Sequence, residues 1–162
     1  MISVLFVCTA NRFRSPIASA LFVRSLVKNQ RLKDYHVESA GTWAESGALV
    51  VPSAKWIHEN LDLDLEMHKA RRVSRELLNF QDLILVMEGS HWEALRVEFP
   101  EFKNRIHLLA NVVTGMVYDI PDPGGPTPGD TFLNVARELS QLMDNGFEKI
   151  CILARQLHDQ RS

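Results

Sequence analysis

The N-terminal run Ile2 to Val7 is almost wholly apolar, and it gives way without a linker to Cys8-Thr9-Ala10-Asn11-Arg12-Phe13-Arg14 and then Ser15-Pro16. No other feature constrains the fold as tightly. The run is short, β-branched and aromatic, as expected of a central strand covered on both faces of a parallel sheet. Ser15-Pro16 is a helix-start signal, and Ile17, Ala20, Leu21, Leu26 and Val27 follow at helical spacing. The first unit is therefore strand, tight loop, helix, with a cysteine where the strand ends and an arginine where the helix begins.

The rest of the chain repeats this alternation. Tyr35 to Ala40 alternates polar and apolar residues like a second strand, and Gly41 to Gly47 is a loop of small residues carrying Trp43. A helix is expected from about Pro52 to Leu61, a buried strand at Asp82 to Met87, and a shorter strand at Arg105 to Leu109. Further helices are expected near His91 to Phe99, closed by Pro100, and from about Asp130 to Met143. Ile120 to Gly129 holds four prolines and three glycines and must be an irregular loop. The pattern predicts an α/β sandwich on a mostly parallel sheet. With 162 residues, 46% of them apolar, residues 1–162 suffice for a single domain with one core.

Eighteen basic against twenty acidic residues give a net charge of −2, so there is no long-range positive field to gather nucleic acid or an anionic membrane. An anion site must be local. No signal peptide or apolar span of roughly 20 residues is legible, which predicts a soluble, cytoplasmic protein. Two cysteines are too few for a disulfide framework or a four-cysteine zinc site, and the six histidines are scattered. No metal or cofactor is expected, and activity should persist in chelator. Cys151 lies in the apolar stretch Lys149 to Leu153 and reads as a buried, inert thiol.

Cys8 reads differently. A loop curled around an anion aims consecutive backbone N–H groups inward, and the helix behind it adds its positive N-terminus. Residues Thr9, Ala10, Asn11, Arg12, Phe13, Arg14 and Ser15 would then cradle a tetrahedral dianion. The planar fork of Arg14 can hydrogen-bond two phosphate oxygens, which a lysine cannot do. The same donors stabilise a thiolate at Cys8 for attack on phosphorus, and Ser15 is placed to donate to that sulfur. Expelling an alkoxide or phenoxide also requires an acid, and hydrolysing the cysteinyl-phosphate requires a base. Asp122, between Pro121 and Pro123, fits both tasks, with Asp119 as its rival.

Four segments in order, Val4 to Pro16, Ser39-Ala40-Gly41-Thr42, His68-Lys69-Ala70-Arg71 and Asp122-Pro123, make the chain resemble the low-molecular-weight protein tyrosine phosphatases over nearly its whole length. The resemblance implies a three-layer αβα sandwich with a four-stranded parallel sheet, and a phosphate-binding loop after the first strand. It implies Cys8 as nucleophile, Arg14 as phosphate ligand, Ser15 as support for the leaving thiolate and Asp122 as general acid and base. It also implies that Asn11 braces the loop through Ser39 and His68. The substrate would be a phosphorylated protein or a small phosphomonoester, and the protein a monomer or weak dimer.

The chain departs from the family at several places. Ala10 stands where most members have glycine, Phe13 where many have a second cysteine that can protect the nucleophile, and Arg12 where relatives carry a small or apolar residue. Arg12 either meets an acidic group beside the phosphate or is merely solvated. Glycines follow Asp122-Pro123 where eukaryotic members have tyrosines, so the substrate pocket rests on Arg12 and Trp43, unless Trp43 packs on the surface instead. Three alternatives share the fold. Arsenate reduction needs a cysteine relay that Cys151 alone cannot supply. A phosphate-binding or phosphocarrier module would have no use for Asp122. Phosphoarginine hydrolysis would use the same residues on a P–N bond, with Arg12 less suited than threonine to a cationic substrate.

Overall fold

The computed structural model describes residues 1–123 and 131–162, with the side chains of residues 54–56 and 58 outside that description. Four parallel strands, β1 (Ile2–Cys8), β2 (Tyr35–Gly41), β3 (Leu83–Val86) and β4 (Ile106–Leu108), form one sheet in the order β2-β1-β3-β4. β1 is central, pairing with β2 from Ile2 opposite Tyr35 to Cys8 opposite Gly41, and with β3 from Val4 opposite Leu83 to Val7 opposite Val86. Every residue of β1 and of β3 is buried, as a strand covered on both faces must be.

The helices are α1 (Arg14–Lys28), α2 (Pro52–Leu61), α3 (Arg75–Phe80), α4 (Gly89–Glu98), α5 (Leu109–Thr114) and α6 (Phe132–Arg161). Strand alternation divides the interior in two. Val4, Phe6 and Cys8 of β1 and Leu85 of β3 pack with α1, α2, α5 and α6 on one face, around Leu21, Phe22, Ile57, Leu109, Leu139 and Ile150. Leu5, Val7, Ile84 and Val86 pack on the other with Leu78 of α3, Leu95 of α4, and Phe99 and Phe102. The result is the expected α/β sandwich with a four-stranded parallel sheet. No helix among the described residues is long and apolar enough to cross a membrane.

Several boundaries differ from the sequence reading. The last helix begins at Phe132, with Thr131 as its cap accepting from the Asn134 N–H, and it runs to Arg161 instead of stopping at Met143. The expected start at Asp130 and the Gly124 to Gly129 part of the irregular loop lie outside the described residues. Gly146, beyond the expected end at Met143, is helical and touches α5: a Cβ there would lie 2.3 Å from Val113. Glycine here serves a close helix approach. Pro100 both closes α4 and opens a 3-10 segment, Pro100–Arg105. The six-residue helices α3 and α5 are too short to show a helical period and escape the sequence reading.

Candidate active site

Cys8 ends β1 at the carboxyl edge of the sheet, and the loop that follows is held from outside by its carbonyls. Cys8 O accepts from the Thr42 N–H, Thr9 O from Trp43 N–H, Arg12 O from Val51 N–H and Asn11 O from His68 Nε2, at 2.8–3.0 Å. In a planar trans peptide the N–H points opposite its carbonyl. The amides of Thr9, Ala10, Arg12 and Phe13 therefore face the concave side. Gly41 allows this close wrapping, since a Cβ there would stand 2.3 Å from Thr9 O. Helix α1 begins at Arg14 with no side-chain cap, so its N-terminal end opens toward the loop.

Asn11 is the keystone of the loop. Fully buried, it adopts a left-handed φ of 56°, which asparagine tolerates better than most residues. Its Nδ2 donates to Ser15 Oγ at 2.8 Å and Ser39 Oγ at 2.9 Å, and its Oδ1 accepts from the Arg71 N–H at 3.0 Å. Ala10 needs no such φ, so the left-handed residue of this loop is Asn11. His68 is held below the ordinary imidazole range by burial and by the nearby charge of Arg71, and its Nε2–H donates to Asn11 O at 2.8 Å. Arg71 in turn binds Ser39 O and pairs with Glu38.

The thiol sits among donors. Cys8 Sγ lies 3.0 Å from Ser15 Oγ and accepts from the Asn11 N–H at 3.3 Å. Arg14 is only 2% exposed. Its Nη1 donates to Ile120 O at 2.9 Å and lies 3.3 Å from Glu88 Oε1, while Nη2 stands 3.9 Å from Asp122 Oδ1. The two candidate acids separate clearly. Asp119 Oδ1 accepts from the Gly89 N–H at 2.7 Å and so caps α4, whereas the Asp122 side chain is 68% exposed and near the Arg14 guanidinium.

The other predicted residues divide by location. Phe13 is buried, its ring edge-on to Phe132 with centroids 4.9 Å apart, so it ties the loop to α6. Arg12 anchors its Nε on Leu49 O at 2.7 Å. Trp43 is 74% exposed, and the Arg72 guanidinium stacks over its ring at 4.8 Å. Cys151 is buried in α6, where desolvation pushes its thiol up. Two residues that the sequence reading missed stand against the loop: Glu88, which neutralises part of the Arg14 charge, and His91, whose Nε2 lies 2.8 Å from Thr9 Oγ1.

The family model for low molecular weight phosphotyrosine protein phosphatase matches residues 3–157. A protein-arginine-phosphatase of Geobacillus stearothermophilus is 32% identical over 148 residues, covering 91% of this chain and 95% of its own. The low molecular weight protein-tyrosine-phosphatase Wzb of Escherichia coli K12 is 38% identical over 121 residues, 75% of this chain and 77% of its own. The solved low molecular weight protein tyrosine phosphatase of T. tengcongensis superposes with a TM-score of 0.82 at 33% identity, covering 92% of this chain and 99% of that one. The chain belongs to the low molecular weight phosphotyrosine protein phosphatase family.

Proposed function

We propose that residues 1–162 act as one protein phosphatase domain working through a phosphocysteine on Cys8. The observation that carries this is the Cys8 sulfur, ringed by Ser15 Oγ, the Asn11 N–H and inward-facing amides, beside a buried arginine and below an exposed carboxylate. With Nη1 committed to Ile120 O, the Nε–Nη2 edge of Arg14 is the fork left for phosphate. The Cys8 thiolate forms an S–P bond as the P–O bond to the leaving group breaks, and Asp122 gives its proton to the departing oxygen. Asp122, now a carboxylate, takes a proton from water as that oxygen attacks phosphorus. The S–P bond breaks, phosphate leaves, and the Ser15 hydroxyl stabilises the returning thiolate.

Phosphotyrosine in a protein is the first reading of the substrate, in line with the family. Phosphoarginine is the second, favoured by the relatedness to a protein-arginine-phosphatase over nine-tenths of the chain. Arg12 at the loop's rim weighs against a cationic substrate and for an acidic one. The test is turnover of para-nitrophenyl phosphate, a phosphotyrosine peptide and a phosphoarginine peptide in chelator, with early acid quench to trap phosphate on Cys8. Trapped phosphocysteine and turnover lost in Cys8→Ser establish the mechanism, and the peptide ratio assigns the substrate. Phosphate binding without turnover would leave a binding module.

A further inference from the structure

His91 is 4% exposed and lies on α4, in contact with Thr9 of the Cys8 loop. Its ring is wired at both nitrogens. Nδ1 accepts from the Glu88 backbone N–H at 3.2 Å, which completes a capping box at the start of α4. Nε2 lies 2.8 Å from Thr9 Oγ1 and 3.2 Å from Glu88 Oε2. Burial and the Arg14 charge push the ring down to about 4, partly opposed by Asp119, so it is neutral near pH 7 and its contact with Glu88 is not an ion pair. A neutral ring that accepts at Nδ1 carries its proton on Nε2. Thr9 Oγ1 is therefore the acceptor in its bond with His91.

Thr9 Oγ1 also faces Arg14 Nη2, which donates to it at 3.4 Å. A hydroxyl oxygen has two lone pairs and one proton. With both lone pairs addressed by His91 and Arg14, the group is left only as a donor. Its position is informative, because the same Arg14 Nη2 stands 3.9 Å from Asp122. The Thr9 hydroxyl thus lies on the side of the guanidinium where a phosphoryl oxygen and a leaving group would sit.

We propose that His91 is a positioning residue that fixes the Thr9 hydroxyl as a hydrogen-bond donor to the phosphoryl group, with Glu88 orienting both His91 and Arg14. This rests on the phosphatase reading of the Cys8 loop. Glu88 makes the coupling physical: Oε1 faces Arg14 Nη1 at 3.3 Å and Oε2 faces His91 Nε2. One carboxylate thereby sets the angle of the phosphate fork and of the ring that aims Thr9.

The experiment separates this role from that of a helix cap. His91→Asn keeps an acceptor near the Nδ1 place and cannot reach Thr9, whereas His91→Gln restores a donor near Nε2. A lost hydrogen bond to a charged group corresponds to about tenfold to a hundredfold in rate. Thr9→Val and His91→Asn are each expected to lower kcat for para-nitrophenyl phosphate by that factor, the double variant no further than either, and His91→Gln to recover most of the loss. In the wild type, ¹⁵N NMR of the ring at neutral pH is expected to show the Nε2–H tautomer. Multiplying losses in the double variant, or a kcat within twofold of wild type in His91→Asn, would overturn the proposal. A wild type that neither turns over nor forms phosphocysteine instead refutes the phosphatase reading. The tautomer then decides the remaining part: a proton on Nδ1 or a charged ring overturns the Thr9–His91 arrangement by itself.

Discussion

The two ends of the sheet each bury a charged side chain, and they treat it oppositely. At the amino end, Asp82 is 3% exposed and saturated: it accepts from the Ser3 N–H and Oγ at 2.9 and 3.1 Å, from His158 Nδ1 at 2.9 Å and from Arg161 Nη1 at 2.5 Å. At the carboxyl end, Arg14 is just as buried, yet it meets one close carboxylate, one carbonyl and, more loosely, the Thr9 hydroxyl, and it leaves its Nε without a partner among the described residues, beside inward-pointing amides. A buried charge with all its partners fastens the ends of the chain together, here β1, β3 and the last turn of α6. On the proposed reading, one with an edge left open is prepared for an anion that arrives later.

The sharpest way to break this comparison is at the nucleophile. Cys8→Ser is expected to lower kcat at least a thousandfold while the melting temperature holds, because serine can keep the bond to Ser15. Arg14→Lys should lose roughly a hundred- to a thousandfold, since a point charge cannot use the fork or span Ile120 O and Glu88 together. Asp122→Ala should cost kcat about a hundredfold or more and leave inorganic phosphate affinity intact when measured by calorimetry. Against these, Asp82→Asn should leave kcat unchanged. A drop in its rate as large as that of Arg14→Lys would mean the two ends are not separate.

Asn11→Ala sharpens the same contrast, because it removes the brace without touching the reacting atoms. Bonds to Ser15, Ser39 and Arg71 disappear and a residue with a Cβ but no polar group is left at φ 56°. Urea unfolding should show a loss of about 4 kcal/mol, and turnover should fall with it. Stability retained in that variant would move the keystone elsewhere.

How much of this was legible without coordinates differs by region. The strand, loop and helix around Cys8 were readable because each is a local pattern: an apolar run, a cysteine and an arginine five residues apart, and Ser-Pro. Asp122 was singled out by the chemistry that the proposed reaction requires, and the contact of Asp119 with Gly89 distinguishes the two carboxylates. Glu88 and His91 were invisible because their contacts with the loop depend on the strand order, which sets the end of β3 beside the end of β1. A signal did exist, for an acidic residue directly after a buried parallel strand points to the edge where such sheets gather their sites. The Asp82 cluster was hidden for a similar reason, since it joins residues 3, 82, 158 and 161.

The finest test uses pH, because the two ends titrate in different windows. The folded protein holds His91 near 4, against an ordinary 6.5, so the unfolded chain takes up a proton that the fold refuses. Stability therefore falls as pH drops from about 6.5 to about 4, by about 3 kcal/mol in all for His91, and His68, also held below its ordinary value, works in the same direction. Asp82 behaves differently. Burial works to raise it, but bonds from Ser3, His158 and Arg161 outweigh that and hold it below 3.8, so its contribution is complete above that value and fades only below it. Urea midpoints followed from pH 7 to 3 should thus decline in two stages. His91→Asn flattens the first stage and Asp82→Asn the second. If Asp82→Asn flattened the decline above pH 4 instead, the amino end would not be the saturated cluster its contacts describe, and the contrast with Arg14 would fail on the side that carries no chemistry.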